Sequence, residues 1–474
     1  MRRIFPVFFL IIMAGCSSAQ PNNKSNTNKL NSSDIKLITL DPGHFHAALV
    51  QKIMYQNVDS VVHVYAPQGP DLQLHLDRIN SYNNRKENPT KWKEEVYTGS
   101  DFTEQMLRQK KARPNGSAGG SNVVVMAGNN EKKTDYILQA VNAGFHVLAD
   151  KPMAIDKPNF ALLKTAFAAA EKKKVLLYDI MTERYEITTM LQREFSFLPQ
   201  VFGELEKGTV DNPAVTKESV HHFFKYVSGS ILTRPPWFMD VTKEGEGIVD
   251  VTTHLVDLVQ WECFPEQIIR EKDINLLSAR RWATDMSLSQ FNAITKLNGF
   301  PAYLKKDVVN DTTLKVFSNG EINYQLKGIH AKVSVKWAYK APEGAGDAHN
   351  SIMRGTKATL VIRQGAEQNY KPSLYIEPLA SSDAYATALM DGLKTIQAKY
   401  PGIELKKTTT GWEVIIAEKY KEGHEAHFAR VTEKFLQYLK EGALPAWEVP
   451  NMIAKYYTTT QALELARQSE TAAK

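Results

Sequence analysis

The feature that most constrains the fold is an alternation of short apolar runs with amphipathic stretches from Ile35 to Tyr178. Strands that alternate with helices indicate βαβ units and a parallel sheet. The candidate strands are Ile35–Leu40, Ser60–Ala66, Asn122–Ala127, His146–Ala149 and Val175–Tyr178, and the candidate helices are Ala47–Met54, Asp101–Lys110, Glu131–Ala143 and Lys157–Lys173.

The second half has a different pattern, in which strand-like runs follow one another before a helical tail. Asn319-Gly320 lies between two of these runs and predicts a hairpin turn. The sequence therefore predicts a largely antiparallel sheet with helices packed on it. The candidate strands are Glu204–Val210, Ile274–Trp282, Thr313–Phe317, Ile322–Leu326, Lys332–Ala338, Thr359–Ile362 and Leu374–Ile376, and the tail helices are Glu425–Leu439 and Val449–Gln468.

The first residues have the pattern of an export signal. Arg2 and Arg3 precede an apolar run that is too short to span a bilayer and that ends at Gly15-Cys16. This pattern resembles the bacterial lipoprotein signal, in which the cysteine becomes the acylated first residue. We therefore expect a signal peptide over 1–15, lipidation of Cys16, a polar and flexible tether over 16–34, and a periplasmic or outer-surface location in a bacterial cell envelope. A plain signal peptide cut nearby is the alternative.

Cysteine content and charge restrict the remaining classes. Cys16 and Cys263 are the two cysteines, so a lipidated Cys16 leaves no intrachain disulfide. The formal net charge of +6 falls to +4 without Arg2 and Arg3, which is weak for 474 residues. A nucleic-acid partner, which calls for a strongly basic domain or stripe, is not expected.

The most informative segment is Val123–Ile155. It contains Asn129 after a strand, Ala143-Gly144 at a helix end, a further strand, and the turn Asp150-Lys151-Pro152. This order and spacing resemble the Gfo/Idh/MocA oxidoreductases, a family of NAD(P)-dependent sugar and inositol dehydrogenases. A lysine at the carboxyl end of a parallel strand can polarise a ligand oxygen. The resemblance implies that Lys151 is catalytic and lies near the nicotinamide.

A second group of polar residues lies in the segment Gly247–Gln260. Asp250, His254 and Asp257 fall on one stripe of an otherwise apolar helix, where buried charges need partners or a wet cleft. They match the family's Asp-x-x-x-His-x-x-Asp pattern, which implies that Asp250 and His254 are catalytic and that Asp257 contacts the substrate. The ordinary pKa of histidine, about 6.5, suits His254 for proton transfer. A structural network inside the core is the alternative.

Three further residues are weaker substrate-binding candidates. Arg184 and Tyr185 resemble the family's Arg-aromatic pair near the substrate. Trp237 precedes the Asp/His helix and could stack on a sugar ring, although a core position would explain it equally well.

The turn after the first strand should hold the cofactor, and it departs from the usual glycine pattern. Of G-x-G-x-x-G only Gly43 is present, within Asp41-Pro42-Gly43-His44-Phe45-His46. The predicted cofactor-binding residues are Gly43, His44, Phe45, His46, Asn129, Asp150 and Lys151. His44 and His46 could also bind a metal, but the sequence shows no Cys/His cluster to supply further ligands, so no metal site is predicted.

The combined prediction is an α/β protein: an N-terminal Rossmann-like parallel-sheet domain over 35–182, then an α+β domain over 183–474 with a large, mostly antiparallel open sheet and a helical tail. It predicts an NAD(P)-dependent oxidoreductase that transfers hydride at a sugar carbinol carbon, tethered to a membrane by lipid, with a possible homo-oligomer through the C-terminal sheet. Because an exported enzyme meets little free NAD(H), the cofactor should be tightly bound. The alternatives are a redox-neutral, NAD-dependent glycoside-cleaving enzyme and a carbohydrate-binding relative without cofactor.

Overall fold

The structure, a computed structural model, describes residues 35–112, 120–227, 230–343 and 345–472. The predicted signal peptide, the lipidation site Cys16 and the tether lie outside these residues. Within the described ranges, no helix is both long enough and apolar enough to cross a bilayer.

The N-terminal half forms a parallel sheet with helices on its faces, as predicted. Its elements are β1 Ile35–Leu40, α1 His46–Leu49, β2 Val61–Ala66, α2 Pro70–Asn84, β3 Lys93–Thr98, α3 Phe102–Ala112, β4 Ser121–Met126, α4 Asn130–Asn142, β5 His146–Asp150, α5 Lys157–Lys173 and β6 Leu177–Ile180. The strand order is β3-β2-β1-β4-β5-β6. The order reverses between β1 and β4, where a doubly wound sheet presents its ligand crevice.

The second half is built on a ten-stranded sheet. Its elements are α6 Ile187–Ser196, β7 Val215–Phe224, β8 Tyr226–Val227, β9 Ser230–Ile231, α7 Val241–Glu244, α8 Thr252–Cys263, β10 Ile274–Ser287, α9 Leu288–Thr295, β11 Val308–Val309, β12 Thr313–Leu326, β13 Ile329–Lys340, β14 Ala348–Arg354, β15 Ala358–Arg363, β16 Ser373–Pro378, α10 Asp383–Lys399, β17 Glu404–Lys407, β18 Trp412–Ile415, α11 His424–Glu441 and α12 Glu448–Ala472. The order is β10-β12-β13-β7-β14-β15-β16-β18-β17, with β11 on β12. The pairs are antiparallel except for β13 with β7.

The two tail helices pack against the parallel sheet, and α12 also packs against the large sheet. Apolar residues of α11, among them Phe428 and Phe435, belong to the core of the parallel sheet. Helix α12 contributes Met452 and Tyr456 to that core, and Ala462 to the core of the large sheet. The segment assigned from sequence to the C-terminal domain therefore also covers the N-terminal sheet.

Three predicted elements are wrong. The helix predicted over Ala47–Met54 is only the four-residue α1, and Glu204–Val210 is irregular. Asn319-Gly320 does not form a hairpin, because it lies inside the continuous strand β12. The amide of Asn319 donates to the Trp282 carbonyl and accepts from the Trp337 N–H, so it bridges neighbouring strands instead of making a turn.

Candidate active site

A cavity of about 380 Å³ lies between the carboxyl ends of the parallel strands and the large sheet. Its volume falls in the range of small-molecule sites, and many ionisable side chains contribute to its lining. Carboxylates and imidazoles that face one space suit a ligand with many hydroxyl groups. The lining includes five carboxylates and seven of the twelve histidines of the chain, namely His44, His46, His221, His254, His349, His424 and His427.

Lys151 and Asp250 meet in this cavity as a buried ion pair. Lys151 follows β5, and its Nζ lies 2.5 Å from Oδ1 of Asp250, which precedes α8 in the other half of the chain. Burial alone would lower the pKa of Lys151, but the carboxylates of Asp250 and Asp150 outweigh it and raise that pKa. Lys151 is therefore a permanent cation at the site.

Contacts outside the cavity fix the backbone that carries each partner of this pair. The buried Lys133 of α4 donates to the carbonyl oxygens of Asp150 (3.0 Å) and Pro152 (3.2 Å), which fixes the turn that carries Lys151. The segment that carries Asp250 approaches β12 closely, since a Cβ on Gly247 would lie 1.7 Å from the Ser318 carbonyl oxygen. Only glycine permits this contact.

His254 faces the same cavity from α8, but its protonation differs from the prediction. Burial, and after it the Lys151 ammonium, lowers the pKa of His254 to about 3. Its Nδ1 is buried and has no hydrogen-bond partner among the described residues. His254 is thus a neutral imidazole, and not the group titrating near neutrality that the sequence suggested.

Glu244, which the sequence analysis missed, is the cavity group that titrates near neutrality. Burial, and after it the Asp250 carboxylate, raises the pKa of Glu244 to about 8. The Asn130 amide donates to the Glu244 carbonyl oxygen at 2.7 Å and contacts its Oε2 at 3.2 Å. Glu244 is therefore a protonated carboxyl at neutral pH, which follows from its burial and its position beside Asp250.

The tryptophan in the cavity lining is Trp337 of β13, and not Trp237. Trp337 stacks on His221 with ring centroids 5.1 Å apart, and the Arg234 guanidinium lies 5.3 Å from its centroid. Trp237 lies outside the lining, and its Nε1 donates to Asp71 at 2.8 Å. Trp237 is therefore not placed to stack on a ligand in this cavity.

Arg184 and Asp257 do not line the cavity, because they belong to a buried ion network. The guanidinium of Arg184 makes two hydrogen bonds to Asp257, at 2.6 and 2.7 Å, and one to Glu448 at 3.0 Å. Lys455 of α12 donates to Asp257 at 2.8 Å. The neighbouring Tyr185 is packed against the core of the parallel sheet. We assign these residues a structural role, which was the alternative noted for Asp257.

The predicted cofactor residues divide into two groups. His44, Phe45, His46 and Lys151 line the cavity. Gly43, Asn129 and Asp150 lie outside the lining. Asn129 has a left-handed backbone with φ 43° and donates from Nδ2 to the Asp41 carboxylate at 2.8 Å. Asp150 is 3% exposed and accepts from the His46 ring at 2.8 Å.

The turn after β1 does not offer a diphosphate the usual contacts. The Gly43 N–H donates to a carbonyl of its own turn at 2.8 Å, and the His44 N–H donates to the turn after β4 at 3.1 Å. Helix α1 is too short to add a helix dipole. A Cβ on Gly43 would lie 3.0 Å from the ring of Trp237, so the glycine makes room for an indole. The Gly43 and His44 N–H groups are thus already bonded within the protein at the place where the usual glycine turn approaches a diphosphate.

Comparisons with known proteins agree with this architecture. Residues 191–467 match a family model described as "Putative oxidoreductase C terminal domain", and residues 74–179 match "Oxidoreductase family, NAD-binding Rossmann fold". The crystal structure of a "putative oxidoreductase" from Parabacteroides merdae is 56% identical, with a TM-score of 0.88, over 92% of this chain and 98% of that one. The comparison with curated proteins returned no match.

More distant structures share the fold. An oxidoreductase structure from Thermotoga maritima, also described as "putative", is 14% identical with a TM-score of 0.55, over 93% of this chain and 98% of that one. Levoglucosan dehydrogenase in complex with NADH is 11% identical with a TM-score of 0.57, over 92% of this chain and 97% of that one. At these identities the likeness concerns the fold alone.

Proposed function

Because the chain belongs to the Gfo/Idh/MocA oxidoreductase family, we propose that it interconverts a hydroxyl and a carbonyl group on one carbon of a carbohydrate. The observation that carries this proposal is the convergence of Lys151, Asp250 and His254 on one cavity. The many hydrogen-bonding groups of the lining and the presence of Trp337 in it support a sugar as the ligand.

The three residues take different parts in the reaction. The Lys151 ammonium, fixed by Asp250, donates to the oxygen on the reacting carbon and stabilises negative charge there. The neutral His254 imidazole accepts the hydroxyl proton during oxidation. As hydride leaves the carbon, the hydroxyl becomes a protonated carbonyl, which is a far stronger acid than an alcohol. A base whose pKa is about 3 therefore suffices.

The hydride carrier that we propose is NAD or NADP, whose nicotinamide supplies the hydride acceptor when it is bound. Lys151, Phe45 and His44 are the residues that would face it. We propose further that the protein is lipid-anchored in the cell envelope and keeps its cofactor bound through turnover. The test is to denature the purified protein and to assay the extract for nicotinamide. An extract without nicotinamide would contradict the retained cofactor.

The redox step is tested with a panel of sugars and added NAD⁺ or NADP⁺, with the absorbance of reduced nicotinamide as readout. We expect Lys151→Met to lower the rate by about 10²- to 10³-fold, the cost of removing one electrostatic donor. Lys315→Met is the matched control, since Lys315 is 42% exposed and pairs with Asp285 on the sheet. Equal rates for Lys151→Met and the unchanged protein would refute the assignment.

A second candidate function is carbohydrate binding without a cofactor. It is favoured by the turn after β1, whose Gly43 and His44 N–H groups are already bonded within the protein. Calorimetry with sugars distinguishes the two functions. Sugar binding by a chain that neither retains nor reduces nicotinamide would support this candidate over the oxidoreductase.

A further inference from the structure

Three metal-ligating side chains meet where the turn after β1 faces the end of β5. They are His44 and His46, two residues apart, and Asp150, which is 104 residues further along the chain from His46. The sequence showed only the two histidines, and the fold supplies the carboxylate. All three donor atoms lie within 4.8 Å of one another.

We propose that His44, His46 and Asp150 bind one divalent transition-metal ion, with Zn²⁺ as the reference ion. Two imidazoles and one carboxylate form a donor set that suits first-row ions of this class. The inference goes beyond the proposed oxidoreductase function, and binding of the ion is measured without sugar or nicotinamide.

The distances suit such an ion. His46 Nδ1 lies 2.8 Å and His44 Nδ1 lies 3.9 Å from Oδ2 of Asp150. Ligand bonds of about 2.0–2.2 Å place two donors on one ion roughly 3–4 Å apart. The His44 distance lies within this range and the His46 distance slightly below it, and all three donor atoms lie within 4.8 Å of one another.

The surroundings hold the three ligands in place. The His46 ring packs on Phe428 with centroids 4.5 Å apart, and the His44 and His46 rings meet edge to face at 4.0 Å. The Asp150 carbonyl accepts from the buried Lys133 ammonium at 3.0 Å, which fixes the end of β5. Ligands that are oriented before the ion arrives lose less conformational entropy on binding.

One side of the cluster stays open. Both histidines line the cavity, so an ion held by three protein ligands would direct its remaining position toward the cavity, as an ion that takes part in catalysis does. The nearby Lys151 ammonium does not forbid a second cation, because Asp250 lies 2.5 Å from it. An ion here could bind a hydroxyl or carbonyl oxygen of the sugar and polarise it.

The competing explanation is a hydrogen bond between His46 and Asp150 with His44 as a packed neighbour. To separate the two, full-length protein without a histidine tag is freed of metal by a chelator and titrated with Co²⁺. The visible absorption of bound Co²⁺ is the readout, and Zn²⁺ is then added to displace it. We expect a single equivalent to bind, and His44→Gln and His46→Gln each to weaken the affinity by about 100-fold or more.

Two control variants make the result specific. His330→Gln changes a histidine of β13 that contacts Gln325, far from the cluster in the fold, and should leave the affinity unchanged. His221→Gln tests a rival pair, because His221 lies 3.3 Å from Asp347. The proposal is overturned if no Co²⁺ binds with a Kd below about 100 μM, or if the affinity falls in His221→Gln and not in His44→Gln. Thermal unfolding of each variant confirms that it is folded.

Discussion

Removing both partners of the Lys151–Asp250 pair should cost less stability than the two single removals added together. The charges lie 2.5 Å apart, and the two side chains are 11% and 8% exposed. At an effective dielectric constant of about 20, Coulomb's law gives an attraction of about 7 kcal/mol at this separation. Desolvation of two buried ions costs several kcal/mol each, so the intact pair contributes little net stability.

A single substitution leaves one buried charge unpaired, and that is the costly state. Lys151→Met and Asp250→Asn should each lower the free energy of unfolding by about 3–5 kcal/mol. The double variant buries neither charge, so its loss in the free energy of unfolding should be smaller than the sum of the losses in the two single variants. We expect a coupling energy of about 2–4 kcal/mol, at the upper end of values for contacting residues.

The assay is equilibrium unfolding in urea of the four proteins of this double-mutant cycle. Far-ultraviolet circular dichroism and tryptophan fluorescence should be followed together, since the chain has two sheets and their transitions must coincide for the cycle to apply. A coupling energy below about 0.5 kcal/mol would mean that the two side chains do not interact in solution. The two halves of the chain would then not form the cavity described above.

Three other expectations concern protonation and the buried network. The pKa of Glu244 is about 8 in the folded state and 4.5 ordinarily, so the contribution of this group to stability is complete below pH 4.5 and is lost as the pH rises to 8. Glu244→Gln should remove a few kcal/mol of that loss, measured as thermal unfolding against pH. Because the pKa of His254 is about 3, the reaction rate plotted against pH should show no inflection from His254 between about pH 5 and pH 8. An inflection near neutrality that is absent in His254→Asn would contradict this. Arg184→Lys should cost a few kcal/mol of stability by breaking the two-bond contact with Asp257, while KM for sugar stays within about twofold; a large rise in KM with unchanged stability would return Arg184 to the substrate site.

Much of the parallel sheet could be predicted because its strands are buried on both faces and read as continuous apolar runs. β1 and α5 were predicted with their observed limits, Ile35–Leu40 and Lys157–Lys173. Strand β3, with the sequence KEEVYT, was missed because it is an edge strand with mostly exposed side chains. Its pairing with β2 is decided by the neighbouring strand and not by its own composition.

The site residues also divide into those that the sequence predicted correctly and those that it did not. Lys151, Asp250 and His254 were predicted, and the cavity brings all three together. Arg184 and Asp257 were placed at the substrate because their partners were invisible in the sequence. Those partners come from α12, where Lys455 lies 198 residues after Asp257 and Glu448 lies 264 residues after Arg184. A charged residue on a buried helix indicates that a partner exists, but not whether that partner is a ligand or the chain itself.

The tail helices complete the cavity as well as the two cores. His424 and His427 of α11 line the cavity, and Phe428 of the same helix packs on the ring of His46. His424 Nδ1 also lies 3.2 Å from the carboxylate of Glu183, which itself lines the cavity. The positions of the polar groups in the site therefore depend on apolar burial of α11 against the parallel sheet. Neither a family motif in the first half nor one in the second could specify the site's protonation, because the burial and the charges that set it arise where the two halves meet.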